Sequence, residues 1–397
     1  MGNYCYKNFS EQNTELKMDI QQKFNRNILL QNLLNNNNNN NNNNKNENIL
    51  KKKKVENKLS IETSDKKYLS SFFEKEKEKE ERIFGLKNIG LTCYMNSFLQ
   101  LLFHCPKFME ELKQFEYEIK YTDIIRKLIN IEKNPENEPN LYRFKNSLKN
   151  ISKKYSEFTQ CDSQIFGIDL INSIIVEIKN EKSNFTTESF SETNHSSKIN
   201  PQEEYKYFIE KYQNDLISLE KMFLINEYRI YAKKNNNKEI RFDSSLNISL
   251  TFPNNKIELF NKKKFTLKEL LDYKYKIVKN NCLKIRICNF PDILIITIIR
   301  TILGEKNNLC YIEYPETLEL QEYADNKILN STISEYKLFG VNKKAGFNRE
   351  SGHYFCEIKI KNIWYEFNDS IVTPNITFRN ISDQAVGLFY AKKNLYK

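Results

Sequence analysis

Apolar positions along this chain fall into two textures. Beyond Cys93 they recur at Met95, Phe98, Leu99, Leu102 and Phe103, the spacing of one buried helical face, and this predicts a helix over Thr92–Phe103. The same texture predicts helices over Thr122–Ile131 and Asp162–Ile178. Asp162 is placed to cap the latter, which Phe166, Ile168, Leu170, Ile171, Ile174 and Ile175 carry. After Phe223 the pattern shifts to short runs of strand length. These are Tyr228–Ala232, Leu246–Phe252, Leu283–Phe290, Ile293–Ile299, Tyr336–Val341, His353–Ile360, Ile363–Phe367 and Gly387–Tyr390. Helices first and strands after predict an α+β domain.

The polar stretches set its limits. Residues 1–82 include ten consecutive asparagines, Asn35–Asn44, and the basic run Lys51–Lys54. Neither can build a core, so 1–82 read as a disordered low-complexity tail. Within it, Leu16, Ile20, Phe24 and Ile28 could form a short amphipathic helix. Glu74–Arg82 alternates Glu and Lys, as in a solvated helix with pairs such as Glu74–Lys77. The globular domain is expected over 83–397, with a Ser/Asn-rich polar insertion near 180–204. The start, Met-Gly2-Asn-Tyr-Cys5, approaches an N-myristoylation signal but has Tyr6 where Ser or Thr is expected. Acylation of Gly2, reinforced at Cys5, would anchor the chain to a membrane.

Composition narrows the function. The chain has 397 residues and a net charge of +11. Residues 1–54 hold nine basic and four acidic side chains, so the other 343 carry only +6. With no basic patch interleaved with aromatics, nucleic acid is not an expected partner. No apolar run reaches about 18 residues and no cleavable signal peptide is visible. The eight cysteines include no C-x-x-C pair. Reduced thiols in the cytoplasm or nucleus are therefore expected, with no zinc site and no cofactor.

Cys93 is the candidate for chemistry. It opens a helix after a glycine-broken turn carrying Asn88, where unpaired N–H groups and the helix dipole favour thiolate. A thiol nucleophile needs a base within reach and a group to orient that base. Only three histidines exist. His104 lies on the same helix, about 16 Å along its axis from Cys93, and His195 sits in the polar insertion. That leaves His353, delivered to a strand end by Ser351-Gly352. A turn near Lys361-Asn362 would bring the following strand alongside, offering Asn368 or Asp369 as acceptor for the imidazole N–H. Asn88 could donate its amide N–H to a tetrahedral oxyanion.

Gly85-Leu-Lys-Asn-Ile-Gly-Leu-Thr-Cys-Tyr-Met-Asn-Ser-Phe-Leu-Gln100 resembles the Cys box of the ubiquitin-specific proteases, a family of cysteine deubiquitinases. Gln160-Cys-Asp-Ser-Gln-Ile-Phe166 is similar to their second box. Gly352-His-Tyr354, Trp364 and Phe367-Asn-Asp-Ser370 resemble the His box. Phe290-Pro-Asp-Ile-Leu-Ile-Ile, Tyr314-Pro315 and Ala385-Val-Gly-Leu-Phe-Tyr390 follow in the family's order. The resemblance covers about Phe84 to Tyr390. It implies a papain-like fold with a helical thumb, a β palm and short β fingers. It implies Cys93 as nucleophile, His353 as general base, Asn368 as orienting residue and Asn88 as oxyanion donor. Gln160, Asp162 and Gly352 would meet the ubiquitin tail.

Four departures mark a divergent member. Leu91 and Ile165 stand where the family usually has Asn and Glu. Ile298-Ile-Arg-Thr301 replaces Leu-Lys-Arg-Phe. The fingers lack the two C-x-x-C pairs that bind structural zinc in many members. The activity implied is hydrolysis of isopeptide or peptide bonds after the C-terminal Gly-Gly of ubiquitin. The alternatives are a protease for another ubiquitin-like modifier, or an inactive ubiquitin-binding adaptor.

Overall fold

The computed structural model describes residues 83–118, 123–179, 200–233, 237–253, 263–276, 281–300, 310–329, 334–346 and 352–395. The tail of 1–82, with Gly2, Cys5 and both short helices expected there, lies outside the described residues, as does His195.

The first half is helical. Helix α1, Cys93–Phe103, is buried along its whole length, so its polar side chains must find partners inside. Several of their donors do: Gln100 Nε2 donates to the Phe84 carbonyl at 2.6 Å and Ser97 Oγ lies 3.2 Å from Ser163 Oγ. The remaining helices of this half are α2 Phe108–Glu118, α3 Asp123–Lys133, α4 Glu138–Ser147, the short α5 Lys153–Ser156, α6 Ser163–Lys179, α7 Pro201–Tyr212 and α8 Ser218–Phe223. Asp162 caps α6 as its sequence implied: Oδ1 accepts from the backbone N–H groups of Gln164 and Ile165 at 2.9 and 3.0 Å.

Strands dominate the second half: β1 Ile225–Ala232, β2 Lys238–Ser245, β3 Ile248–Thr251, β4 Lys264–Thr266, β5 Cys282–Ile287, β6 Ile293–Ile299, β7 Tyr311–Glu313, β8 Thr317–Glu319, β9 Glu335–Ala345, β10 His353–Ile360, β11 Ile363–Asn368, β12 Ile371–Pro374, β13 Ile381–Ser382 and β14 Ala385–Lys392. The largest sheet runs β12-β11-β10-β9-β14-β6-β3, with β8 also paired to β9. Two smaller sheets run β2-β1-β5 and β13-β7-β4. Between β4 and β5 the chain forms α9, Leu267–Tyr275, opened by a capping box in which Thr266 and Glu269 serve each other's backbone N–H.

The large sheet has two apolar faces. One carries Phe339, Phe389 and Ile295 against α1 and α6, where Phe98 meets Phe389 edge-on at 5.4 Å. The other carries Tyr336, Leu338 and Tyr390, which share a core with α9. Near-continuous apolar β6, Ile-Leu-Ile-Ile-Thr-Ile-Ile, suits a strand covered on both sides. The expected Lys361-Asn362 turn is present. Both residues take positive φ, 47° and 65°, as a two-residue hairpin of the I′ kind requires.

The last residues of the expected polar insertion near 180–204 enter α7, which begins at Pro201 and is capped by Asn200. Two expectations need correction. Strand β2 was not expected, since Lys238-Glu-Ile-Arg-Phe-Asp offers only Ile240 and Phe242 as apolar positions. Helices also do not stop at Phe223, as α9 shows.

Candidate active site

The turn before α1 is held by one side chain. Asn88 Oδ1 accepts from the Gly90 N–H and the Thr92 N–H, both at 3.1 Å, and from Thr92 Oγ1 at 3.2 Å. This closes the chain on itself with φ of 108° at Gly90 and 52° at Leu91. A left-handed leucine is sterically costly, whereas asparagine tolerates that region. The departure at Leu91 is therefore a backbone matter, and its side chain is half exposed at 51%.

Cys93 follows at the first residue of α1, 4% exposed. Its sulfur accepts a hydrogen bond from the backbone N–H of Tyr354, the residue after His353, which brings the start of β10 against the thiol. Burial pushes the Cys93 thiol above its ordinary pKa. The Tyr354 N–H opposes this and the charge of Asp369 adds to it. The thiolate expected from the helix terminus is thus not favoured in this state, because removing the sulfur from water outweighs the nearby N–H groups.

His353 and Asn368 meet across the β10–β11 hairpin, with Nε2 2.6 Å from Asn368 Oδ1. An acceptor there makes Nε2 the protonated nitrogen and leaves the Nδ1 lone pair as the basic one. The choice between Asn368 and Asp369 is resolved in geometry: Asn368 takes the imidazole, and Asp369 does something else. At φ 52°, Asp369 turns back toward the Cys93 turn. Its Oδ2 accepts from Asn88 Nδ2 at 3.0 Å and its Oδ1 from Asn96 Nδ2 at 2.8 Å. Its carbonyl accepts from the Leu86 N–H at 2.8 Å. Asn88 is thereby fixed at both ends, with one amide hydrogen left over.

The three residues expected to meet a substrate tail also sit together. Gln160 Nε2 donates to the Gly352 carbonyl. Asp162 Oδ2 accepts from Tyr354 Oη at 3.3 Å. Gly352 has φ 155°, and a Cβ there would lie 2.6 Å from the Ala345 carbonyl oxygen, so no other residue fits without shifting backbone. His104 is elsewhere, its Nδ1 2.8 Å from the Gln100 carbonyl and its ring beside Phe367. Among the described residues no group of three or more His, Cys, Asp or Glu could hold a metal ion, and no helix is long and apolar enough to cross a membrane.

Sequence reasoning missed Asn96, Tyr354 and the tethering part of Asp369. Only the adjacent Asn-Asp pair hinted at the last.

A family model described as ubiquitin carboxyl-terminal hydrolase matches residues 84–390. The chain belongs to this family. Ubiquitin carboxyl-terminal hydrolase 42 of Homo sapiens is 39% identical over 84 residues, 21% of this chain and 6% of that protein. Hydrolases 25 and 4 of Arabidopsis thaliana are 25% and 27% identical, over 78% and 80% of this chain. The chain spans 47% of the first of these and 90% of the second. Among solved structures, a chain of the SAGA Ubp8/Sgf11/Sus1/Sgf73 deubiquitinating module bound to ubiquitin aldehyde aligns with a TM-score of 0.58 at 21% identity, over 79% of this chain and 70% of that one. Another structure of the Ubp8-Sgf11-Sgf73-Sus1 module gives 0.60 at 20%, over 83% and 74%. These matches establish the ubiquitin carboxyl-terminal hydrolase fold and its α+β class. The order of the boxes and the lack of any C-x-x-C pair in the sequence are those of a divergent ubiquitin-specific protease.

Proposed function

We propose that this chain is a thiol-dependent deubiquitinase that hydrolyses isopeptide or peptide bonds at the C-terminal Gly-Gly of ubiquitin. The observation that carries the reading is the His353–Asn368 contact at 2.6 Å, beside a strand start that reaches the Cys93 sulfur. His353 Nδ1 takes the thiol proton, and the sulfur attacks the terminal glycine carbonyl. The remaining Asn88 amide hydrogen, with backbone N–H groups at the start of α1, holds the oxyanion. The imidazolium returns its proton to the departing lysine amine, and water then cleaves the thioester. Proton transfer from thiol to imidazole matters here, since burial disfavours a standing thiolate. A narrow channel beside Gly352 and the residues around Cys93 would admit only glycines, which carry no side chain.

The test is a ubiquitin C-terminal fluorogenic reporter with wild type and Cys93→Ala, alongside a ubiquitin electrophile probe. Turnover lost in the variant and a probe adduct on Cys93 are expected. Ubiquitin binding without turnover or adduct would indicate an adaptor. A second reading keeps the chemistry and changes the modifier. Ile165 is 55% exposed in the first turn of α6, where the family usually places a carboxylate for the tail arginines of ubiquitin. A panel of modifier reporters separates the two readings.

A further inference from the structure

Strand alternation divides the groups around Cys93 between the two faces of the large sheet. Successive side chains on a strand point to opposite faces, and residues directly opposite on neighbouring strands share one. On one face Tyr354, Cys356 and Phe367 join the core of α1, and the Tyr354 hydroxyl reaches Asp162 among the tail-binding groups. His353, Phe355 and Glu357 alternate with these along β10, as Glu366 and Asn368 do along β11. The register sets Glu366 opposite Glu357, and Ile371 of β12 opposite Asn368. Ile371 therefore shares a face with the imidazole and its orienter, and not with Tyr354 and Asp162.

Ile371 is 63% exposed, on a strand that has only β11 beside it among the described strands. A lone exposed isoleucine is ordinary on a protein surface; this one is set apart by its place. His353 Nε2 is 2.6 Å from Asn368 Oδ1, and direct cross-strand neighbours stand about 5 Å apart, so Ile371 lies on the order of 10 Å from Nδ1. That nitrogen returns the proton to the departing amine, so the chain carrying the amine must pass on the imidazole side. Extended chain advances about 3.3 Å per residue, and residues two or three positions from the modified lysine reach Ile371.

Charge on this face narrows the partner. Glu366 stands opposite Glu357, where like charges repel. Glu357 is already taken up by Lys343 at 2.6 Å and by the Asn375 amide at 2.7 Å. Among the described residues no lysine or arginine is paired with Glu366, whose diagonal to Ile371 spans about 7–8 Å. A cation from outside would relieve the repulsion.

We propose that Ile371 and Glu366 form a recognition surface for the protein that carries the modified lysine, one presenting an apolar and a basic residue beside that lysine. The proposal rests on the reading that Cys93 and His353 cleave an isopeptide bond. A dye in place of the acceptor protein is too short to reach Ile371, so the surface acts only where the leaving group is a polypeptide.

The test compares three ubiquitin substrates on the full chain: the C-terminal dye reporter, and isopeptide conjugates to the lysine of Gly-Leu-Lys-Arg-Gly or of Gly-Ser-Lys-Ser-Gly. The wild type is expected to favour the first conjugate roughly fivefold in kcat/KM. Ile371→Thr, which keeps strand propensity, should bring the two conjugates within about twofold of each other and leave the dye reporter unchanged. Ile371→Val should keep most of the preference, and Glu366→Gln should lower it about twofold. Unfolding in urea reports whether each variant folds, and Ile371→Ala repeats the measurement should the threonine variant not. A wild type that cleaves the dye reporter with no preference between conjugates overturns the proposal. So does a preference that survives in a folded Ile371→Thr. An equal loss on the dye reporter also overturns it, because that would mean displacement of Asn368. If the wild type cleaves none of the three, the deubiquitinase reading itself fails and the surface falls with it.

Discussion

The Cys93 site and the β2-β1-β5 sheet both bury polar groups, and they do it in different ways. At the site the buried groups are mostly neutral amides and hydroxyls: Asn96, Gln100, Ser97 and Ser163. Each donates to a named backbone carbonyl or carboxylate. In the smaller sheet Asn226 is a neutral amide tied to Gln213 and Ser244, but the other two buried groups are ions. Glu227 on β1 receives Lys274 Nζ at 2.7 Å, the Tyr275 hydroxyl, and Arg229 at 3.4 Å. Glu239 on β2 meets Arg241 at 2.6 Å and also Lys233. Beside them Phe208 of α7 stacks on Phe242 at 5.1 Å. Neutral amides have fixed directions and little field, which suits placing a proton acceptor. Ion pairs and stacked rings hold a small sheet together where no C-x-x-C pairs are present to take zinc. One region is built for direction and the other for cohesion.

Substitutions can break or sharpen that contrast. The largest effect is expected for Cys93→Ala, which should cut reporter turnover by at least about 10⁴-fold while leaving the unfolding midpoint in urea unchanged. Next comes Glu227→Ala. Removing one member of a buried ionic cluster strands the others and should cost about 3–5 kcal/mol, read by urea unfolding, with kcat/KM intact at temperatures where the chain stays folded. A parallel loss of kcat would show that the two regions are not separate. The same cluster sets a pH window. Burial would raise the Glu227 carboxyl, but Lys274, Tyr275 and Arg229 more than offset it and hold the pKa below its ordinary value. The stability it contributes is therefore present above the ordinary carboxylate range and lost as pH falls through the lowered pKa. Glu227→Gln should flatten the acid limb of the stability profile.

Smaller in energy is Asn88→Ala, expected to lower kcat by about 10²–10³-fold in steady-state assays, since it removes an oxyanion donor and unpins the turn. Leu91→Asn should stabilise the chain by about 1 kcal/mol through relief of the left-handed leucine, seen as a higher urea midpoint. A chelator should leave the thermal midpoint within about 1 °C, because the described residues of the small sheet offer ion pairs and no group of ligands for a metal ion. A large drop would overturn that half of the comparison.

Much of the architecture was legible because apolar spacing carries it. Strand Ile293–Ile299 falls where its sequence placed it, and α6 starts one residue after the expected cap. The nucleophile, base and orienter were legible for another reason: three histidines leave few combinations. What escaped notice depends on direction across neighbouring strands. Asp369 reads as a turn residue until its φ of 52° aims it at Asn88 and Asn96. The expectation for the Cys93 thiol failed because the helix terminus was weighed without the depth of burial around it.

Asn368 and Asp369 are consecutive residues of one tight turn, yet they face different halves of the chemistry. The first steadies the imidazole; the second steadies the amide proposed for the oxyanion. Any displacement of that turn is a common-mode error, misaligning proton acceptance and oxyanion capture together. Such a site has few half-competent states. Damage to the turn, or a partner pressing on it, would act as a single switch on the whole reaction and would leave no partial mechanism running.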